Sequence, residues 1–430
     1  MKKAVSIYVA FAAAGYGLAL LLPGYLAKAP SAIFSFPVED GWCKVGMQSI
    51  GRHCFGDFYY PITTSNLPNP WASSPNPNPP LMQFIYKIFW ELGIQGHFAL
   101  VVYLMLLVSA LVFPIFYLLK KRLLAAKQLA VITFFMCTSA PVLIAVDRGS
   151  FSIVIMMLTY FAFISHSNGS KRRSAFLLTL IFLLKPQMVL LDLILLNKWT
   201  IRRVATLLLL QVGLLASTFI LYPSSMYHEA IAYFRQVAEY QNYVPWGALY
   251  PINLSMTTFP GVVAKAIFSP SVLPNLRLIF SAVICLFILA RMKMIRDNLV
   301  DFDLLIISLL SILTLPGVTF AYYLTLLIVP FLVGFVLVAN GDAKSIGILE
   351  TSRVLRIGFL SFSILLFIPW TIPWSIFFGR YVVGHAVVTT SMNWILGILI
   401  LQSCFLLYLL KAPSGIQSET ASTEAWIAKN

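Results

Sequence analysis

The chain has 430 residues, of which 60% are hydrophobic and only 10% charged, with a mean hydropathy of +0.87 and a formal net charge of +15 at pH 7. That composition lies outside the range of soluble globular domains. The positive charge is scattered as short Lys/Arg clusters between apolar runs, which excludes a nucleic-acid reading and matches the positive-inside pattern of a polytopic membrane protein.

Met1-Lys2-Lys3 followed by the apolar run to Leu22 has the charged start of a signal peptide. The run is long and has no clear small-x-small cleavage site, so it is read as a retained first span. A long external loop follows, residues 23–97. It contains Gly56-Asp57-Phe58-Tyr59-Tyr60 and then the run Asn69-Pro70 to Pro79-Pro80, where fixed φ values and missing amide donors exclude regular helix. A stiff loop of this length points to function. Asp57, flanked by aromatics, is partly desolvated and suited to accept a proton from a hydroxyl; the alternative is an aspartate that caps a short helix. Cys43 and Cys54 lie in the same external loop and are expected to form a disulfide. A zinc site from Cys43, His53 and Cys54 is disfavoured, and no metal or cofactor is expected. Cys137, Cys285 and Cys404 lie in apolar runs and read as small core residues.

Leu81–Trp90 reads as an amphipathic helix on the outer surface, with Phe84, Tyr86 and Trp90 at the interface. Span 2 is expected over Phe98–Leu119, span 3 over Leu129–Val146 and span 4 over Phe151–Ser165. The next apolar run, Ser174–Leu196, has basic clusters at both ends and Lys185-Pro186 in its middle. It reads as a re-entrant hairpin with Lys185 at the tip and Asp192 on the returning arm. An intramembrane lysine points to function, the alternative being a snorkelling lysine paired with Asp192 or a free carbonyl. Span 6 is expected over Val204–Leu221, followed by a second external segment, residues 222–273. That segment is rich in aromatics suited equally to an interface or a sugar platform.

Further spans are expected over Leu276–Ala290, Leu304–Leu315, Phe320–Ala339, Leu355–Pro373 and Val382–Leu410, with a disordered polar tail at 411–430. The expectation is an all-α polytopic membrane protein: one domain, residues 1–410, with about ten spans, one hairpin and long external loops. About 20 of the 30 Lys and Arg fall on one side of this topology, so both termini are cytoplasmic and Asp57 is outside. There is no internal repeat of the kind common in transporters.

Four motifs in order, over roughly three quarters of the chain, resemble bacterial glycosyltransferase family 87. They are Gly56-Asp57-Phe58-Tyr59-Tyr60; Pro79-Pro80-Leu81; Arg148-Gly149-Ser150 with Leu184-Lys185-Pro186; and Asn253-Leu254-Ser255. Arg148-Gly149-Ser150 stands where the family usually has Gly-Gln-x-Asn. Where the family commonly has a Trp-x-His-Tyr element, this chain has Phe320-Ala321-Tyr322-Tyr323, and Tyr322 takes the histidine's position.

The resemblance implies a GT-C fold and transfer of a sugar, mannose or arabinofuranose, from a polyprenyl-phosphate donor at the outer face of the cell membrane. The acceptor is a glycolipid or cell-envelope glycan. On that reading Asp57 is the general base and Arg148 and Lys185 bind the donor phosphate. Tyr59, Tyr60, Asn253 and Tyr322 contact acceptor or substrate. The competing expectations are a flippase or transporter for lipid-linked sugars, and a surface-polysaccharide polymerase or ligase.

Overall fold

A computed structural model of the chain describes residues 56–72, 76–93, 98–222, 226–246, 290, 300–314, 321–339, 357–358, 381–383 and 386–388. The first span, Cys43, His53, Cys54, Asn253, the Leu276–Ala290 and Leu355–Pro373 spans apart from isolated residues, and the tail lie outside these. The described residues are predominantly helical: α1 (Gly56–Ser65), α2 (Pro80–Glu91), α3 (Phe98–Lys120), α4 (Ala126–Thr138), α5 (Ala140–Arg148), α6 (Ser152–Ser167) and α7 (Lys171–Leu184). A 3-10 helix over Pro186–Asn197 precedes α8 (Ile201–Ser217), a 3-10 turn (Thr218–Leu221) and α9 (Met226–Trp246). Then come α10 (Asp301–Thr314), a 3-10 turn (Ala321–Leu327) and α11 (Ile328–Ala339). Two short strands, β1 (Tyr381–Val383) and β2 (Ala386–Val388), pair antiparallel, so the expected last span, Val382–Leu410, opens in extended backbone.

Among the described residues, two helical stretches are long and apolar enough to cross a membrane, Phe98–Lys120 and Ile201–Leu221, matching the expected spans 2 and 6. Their outward faces are apolar. On α3, Val101, Met105, Val108, Val112, Phe116 and Leu119 recur at three- and four-residue spacing and are exposed, while Leu100, Tyr103, Leu107, Ala110 and Leu118 turn into the core. A contiguous apolar face of this length is covered by lipid far more readily than by water.

Span 3 is not one helix. Its backbone becomes extended at Ser139 (φ −65°, ψ 140°), splitting the run into α4 and α5. Pro141 has no N–H for the fourth carbonyl back, so the ladder is broken and restarted, with proline tolerated in the first turn of α5. Cys137, expected in the core, is exposed on α4.

The chain reverses at Lys185, whose backbone is extended (φ −151°, ψ 90°) before Pro186. The arms match in length: 14 residues of α-helix rise about 21 Å and 12 residues of 3-10 helix about 24 Å. At the base, the Lys198 ammonium donates to the carbonyls of His166 (3.1 Å) and Ser167 (3.4 Å), just before α7 begins at Lys171. The basic clusters Lys171–Arg173 and Lys198–Arg203 thus flank the same end of the bundle. A buried carboxylate fixes this end to α10: Asp301 lies 3.5 Å from Lys198 Nζ and 3.4 Å from His166 Nε2. Asp192, on the returning arm, is buried and accepts from Gln211 of α8 (3.4 Å), not from Lys185.

The described residues of the proline-rich run are held by side-chain amides that supply donors prolines lack. Asn76 donates to the Pro70 carbonyl (3.2 Å) and to Thr64 (3.4 Å), and its side-chain oxygen accepts from the Asn78 backbone (3.2 Å). The Trp71 indole donates to the Asn78 carbonyl (3.0 Å). Trp71 packs in a separate cluster with Phe219, Tyr222 and Tyr233, and the Tyr222 hydroxyl donates to the Pro80 carbonyl at 2.9 Å. Tyr233 therefore serves packing, whereas Tyr227 on the same helix is exposed.

Candidate active site

Asp57 is in the first turn of α1, not in irregular loop, where its charge complements the helix N-terminus. Its carboxylate meets Arg148, 91 positions away in sequence, in a two-point pair. Arg148 Nη2 donates to Oδ1 at 2.8 Å and Nε to Oδ2 at 3.1 Å. The side chains are 17% exposed for Arg148 and 27% for Asp57, so the pair is largely sheltered yet reachable from solvent. The parallel fork geometry is the strongest carboxylate–cation arrangement side chains offer.

Local sequence explains how both partners are held. Arg148 ends α5, and Gly149 adopts the left-handed conformation (φ 71°) that closes the helix: the Gly149 N–H donates to Val146 (3.0 Å) and the Ser150 N–H to Ala145 (2.8 Å). This is a Schellman stop, favourable because glycine has no Cβ. The motif Arg148-Gly149-Ser150 is therefore a cation followed by the residue that stops its helix beneath it.

Each charged partner is also anchored by an adjacent aromatic. Phe58 is fully buried, stacked on Tyr103 (centroids 4.3 Å) and edge-on to Phe89 (5.3 Å). Phe151, three residues after Arg148, packs on the same Tyr103 (5.1 Å) and edge-on to Tyr86 (5.5 Å). One aromatic cluster thus fixes α1, α2, α3 and the Arg148 turn together, each pair of rings adding to area burial.

Tyr86 was expected at the membrane interface but is buried, and its hydroxyl donates to the Asp57 carbonyl at 3.2 Å. Burial holds this phenol well above its ordinary pKa, the Asp57 charge adds to the effect, and Tyr323 adds a smaller share. Tyr323 belongs to the Ala321–Leu327 turn, which packs against α5, the helix that ends in Arg148. Lys185, at the reversal, holds its ammonium 5.9 Å from the Tyr323 ring centre, near the outer limit of a cation–π contact. Arg148 thus meets the Asp57 carboxylate directly, while the contact described for Lys185 is with the Tyr323 ring.

Of the remaining expected residues, Tyr59 and Tyr60 follow Asp57 on α1, half-buried, and burial raises both phenols. Tyr322 is carried on the Ala321–Leu327 turn beside Tyr323. Asn253 lies outside the described residues, as do Cys43 and Cys54. No group of three metal-binding side chains occurs among the described residues.

Sequence reasoning missed Tyr86, Tyr103, Phe151, Tyr323 and Gln83. A signal for two of them was present. Met82, Gln83, Tyr86 and Phe89 follow helical spacing on one face of α2, and that face is buried. The Gln83 amide donates to the Pro61 carbonyl (3.1 Å) and to Thr64 (3.3 Å), pinning α1 to α2.

Chemically, the site offers a carboxylate able to accept a proton and a planar cation able to bind two phosphate oxygens. No protein-family model matches the chain, and neither a curated protein nor a solved structure matches it, so the likeness to glycosyltransferase family 87 rests on the motifs alone.

Proposed function

We propose that the chain is a membrane glycosyltransferase that moves a sugar from a polyprenyl-phosphate donor to a glycolipid or glycan acceptor at the outer face of the cell membrane. The observation that carries the reading is the partly exposed Asp57–Arg148 pair. The acceptor hydroxyl oxygen forms a bond to the anomeric carbon as the bond from that carbon to the phosphate oxygen breaks. Asp57 takes the hydroxyl proton, and polyprenyl phosphate departs with the electron pair. Arg148 and Lys185 offset the charge on the leaving phosphate.

The pairing adds a step to this sequence. Arg148 holds the Asp57 carboxylate before donor binds, so the donor phosphate competes for the same fork and its arrival releases the carboxylate toward the acceptor. The base becomes available when the leaving group is in place. Around this site we propose a bundle of about ten spans with cytoplasmic termini and a re-entrant hairpin bearing Lys185. The equal arms and shared base of Lys171–Asn197 support that topology.

A second reading, transport of a lipid-linked sugar, is favoured by one feature, the ionisable groups buried in the hairpin and at its base: Asp192, His166 and Asp301. Purified protein in nanodiscs, supplied with radiolabelled polyprenyl-phosphate sugar and a lipid-linked acceptor, separates the two. Labelled acceptor is expected. Transbilayer movement of the donor in liposomes with no transfer in either format contradicts the proposal.

A further inference from the structure

Proline is the sixth residue of α1, Pro61, and it has no N–H to donate to the carbonyl four residues back. That carbonyl belongs to Asp57. In a regular helix it would be satisfied by the backbone; here the pyrrolidine ring removes that donor. The Tyr86 hydroxyl, from a different helix, donates to this oxygen at 3.2 Å. A buried phenol needs a partner, and this one stays protonated because burial and the nearby Asp57 charge both oppose its ionisation.

We infer that Pro61 and Tyr86 form a matched pair that fixes the backbone of Asp57 while leaving its carboxylate free to turn, making Tyr86 a positioning residue for the proposed base. The inference rests on the glycosyl-transfer reading for its consequence but not for the bond itself. Three features separate this bond from ordinary packing. The proline creates the vacancy at the residue that bears the carboxylate. The Gln83 amide holds the Pro61 carbonyl one turn further on, so the two donors of α2 grip both ends of the same helical turn. Phe58 is buried beneath, so the helix is clamped by an aromatic on one side and by hydrogen bonds on another. A carboxylate that must move from Arg148 to an acceptor hydroxyl needs a fixed pivot, since a misplacement of about 1 Å at a reacting group costs on the order of 10²-fold.

The bond can be removed and replaced by different chemistry. Tyr86→Phe deletes the donor and keeps the ring; Pro61→Ala restores a backbone N–H aimed at the same oxygen. The expected kinetic result is a fall in kcat of roughly 10-fold or more for Tyr86→Phe, with KM for donor within about twofold, and recovery of most of that loss in Tyr86→Phe/Pro61→Ala. Pro61→Ala alone should leave kcat near that of the parent. Unfolding midpoints of the same four proteins, measured without substrate, should show the two substitutions to be coupled, the double variant more stable than the sum of the singles. A kcat loss that Pro61→Ala fails to restore, or a rise in KM with kcat unchanged, overturns the positioning role. Additive midpoints overturn the bond. Coupled midpoints in a chain that transfers no sugar uphold the bond and locate the failure in the functional reading.

Discussion

At the residue scale, the Asp57–Arg148 pair admits a purely structural role, because a sheltered two-point ion pair ties α1 to α5 whatever else it does. Removing one member leaves the other unpaired and partly desolvated, so either single substitution should destabilise. The charge swap distinguishes the roles. Asp57→Arg combined with Arg148→Asp should recover part of the unfolding midpoint lost by each single variant, yet show no turnover, because the base is then at the wrong end of the pair. Recovery of turnover along with stability would make the pair a strut only. Gly149 belongs to the same argument: its φ of 71° is strained for any residue with a Cβ. Gly149→Ala should cost about 1–2 kcal/mol by thermal unfolding and lower activity further by shifting Arg148.

At the element scale, the sequence made several features legible for physical reasons. Apolar length and flanking charge marked α3 and the Ile201–Leu221 stretch, and paired prolines marked the start of α2. Lys185-Pro186 between two basic clusters marked the reversal, because proline at that place and an ordinary crossing are incompatible with the charge pattern. The break at Ser139 is announced by Thr138, Ser139 and Pro141, but these polar and proline residues are few in a run otherwise apolar and long enough for one crossing. The order of the motifs put Asp57 and Arg148 in one expected site, but their direct contact was not legible: nothing in either segment specifies a partner 91 positions distant, and the aromatic cluster that brings them together is a tertiary product. The hairpin carries its own test. Single cysteines placed at Lys171–Arg173 and at Lys198–Arg203 should be labelled by an impermeant maleimide only from the cytoplasmic side. Labelling of the two clusters from opposite sides would contradict a shared base, despite the Lys198 contacts to His166 and Ser167.

At the scale of the whole molecule, two segments 91 positions apart in sequence bring one charged group each to a common contact. α1 brings a carboxylate and α5 a guanidinium, α2 and the aromatic cluster hold the elements that carry them, and the Lys185 ammonium reaches the Tyr323 ring. A carboxylate paired with a planar cation matches a reaction that takes a proton at one atom and gathers negative charge at another. The measurement that bears most directly on this account is the turnover of Asp57→Asn in the sugar-transfer assay, normalised to folded protein. Asparagine keeps the size and most of the hydrogen bonding but cannot serve as the base, so turnover is predicted to fall by about 10²–10⁴-fold while donor binding persists. A well-folded Asp57→Asn protein that retains more than about a tenth of the parent turnover would contradict the assignment of Asp57 as the base.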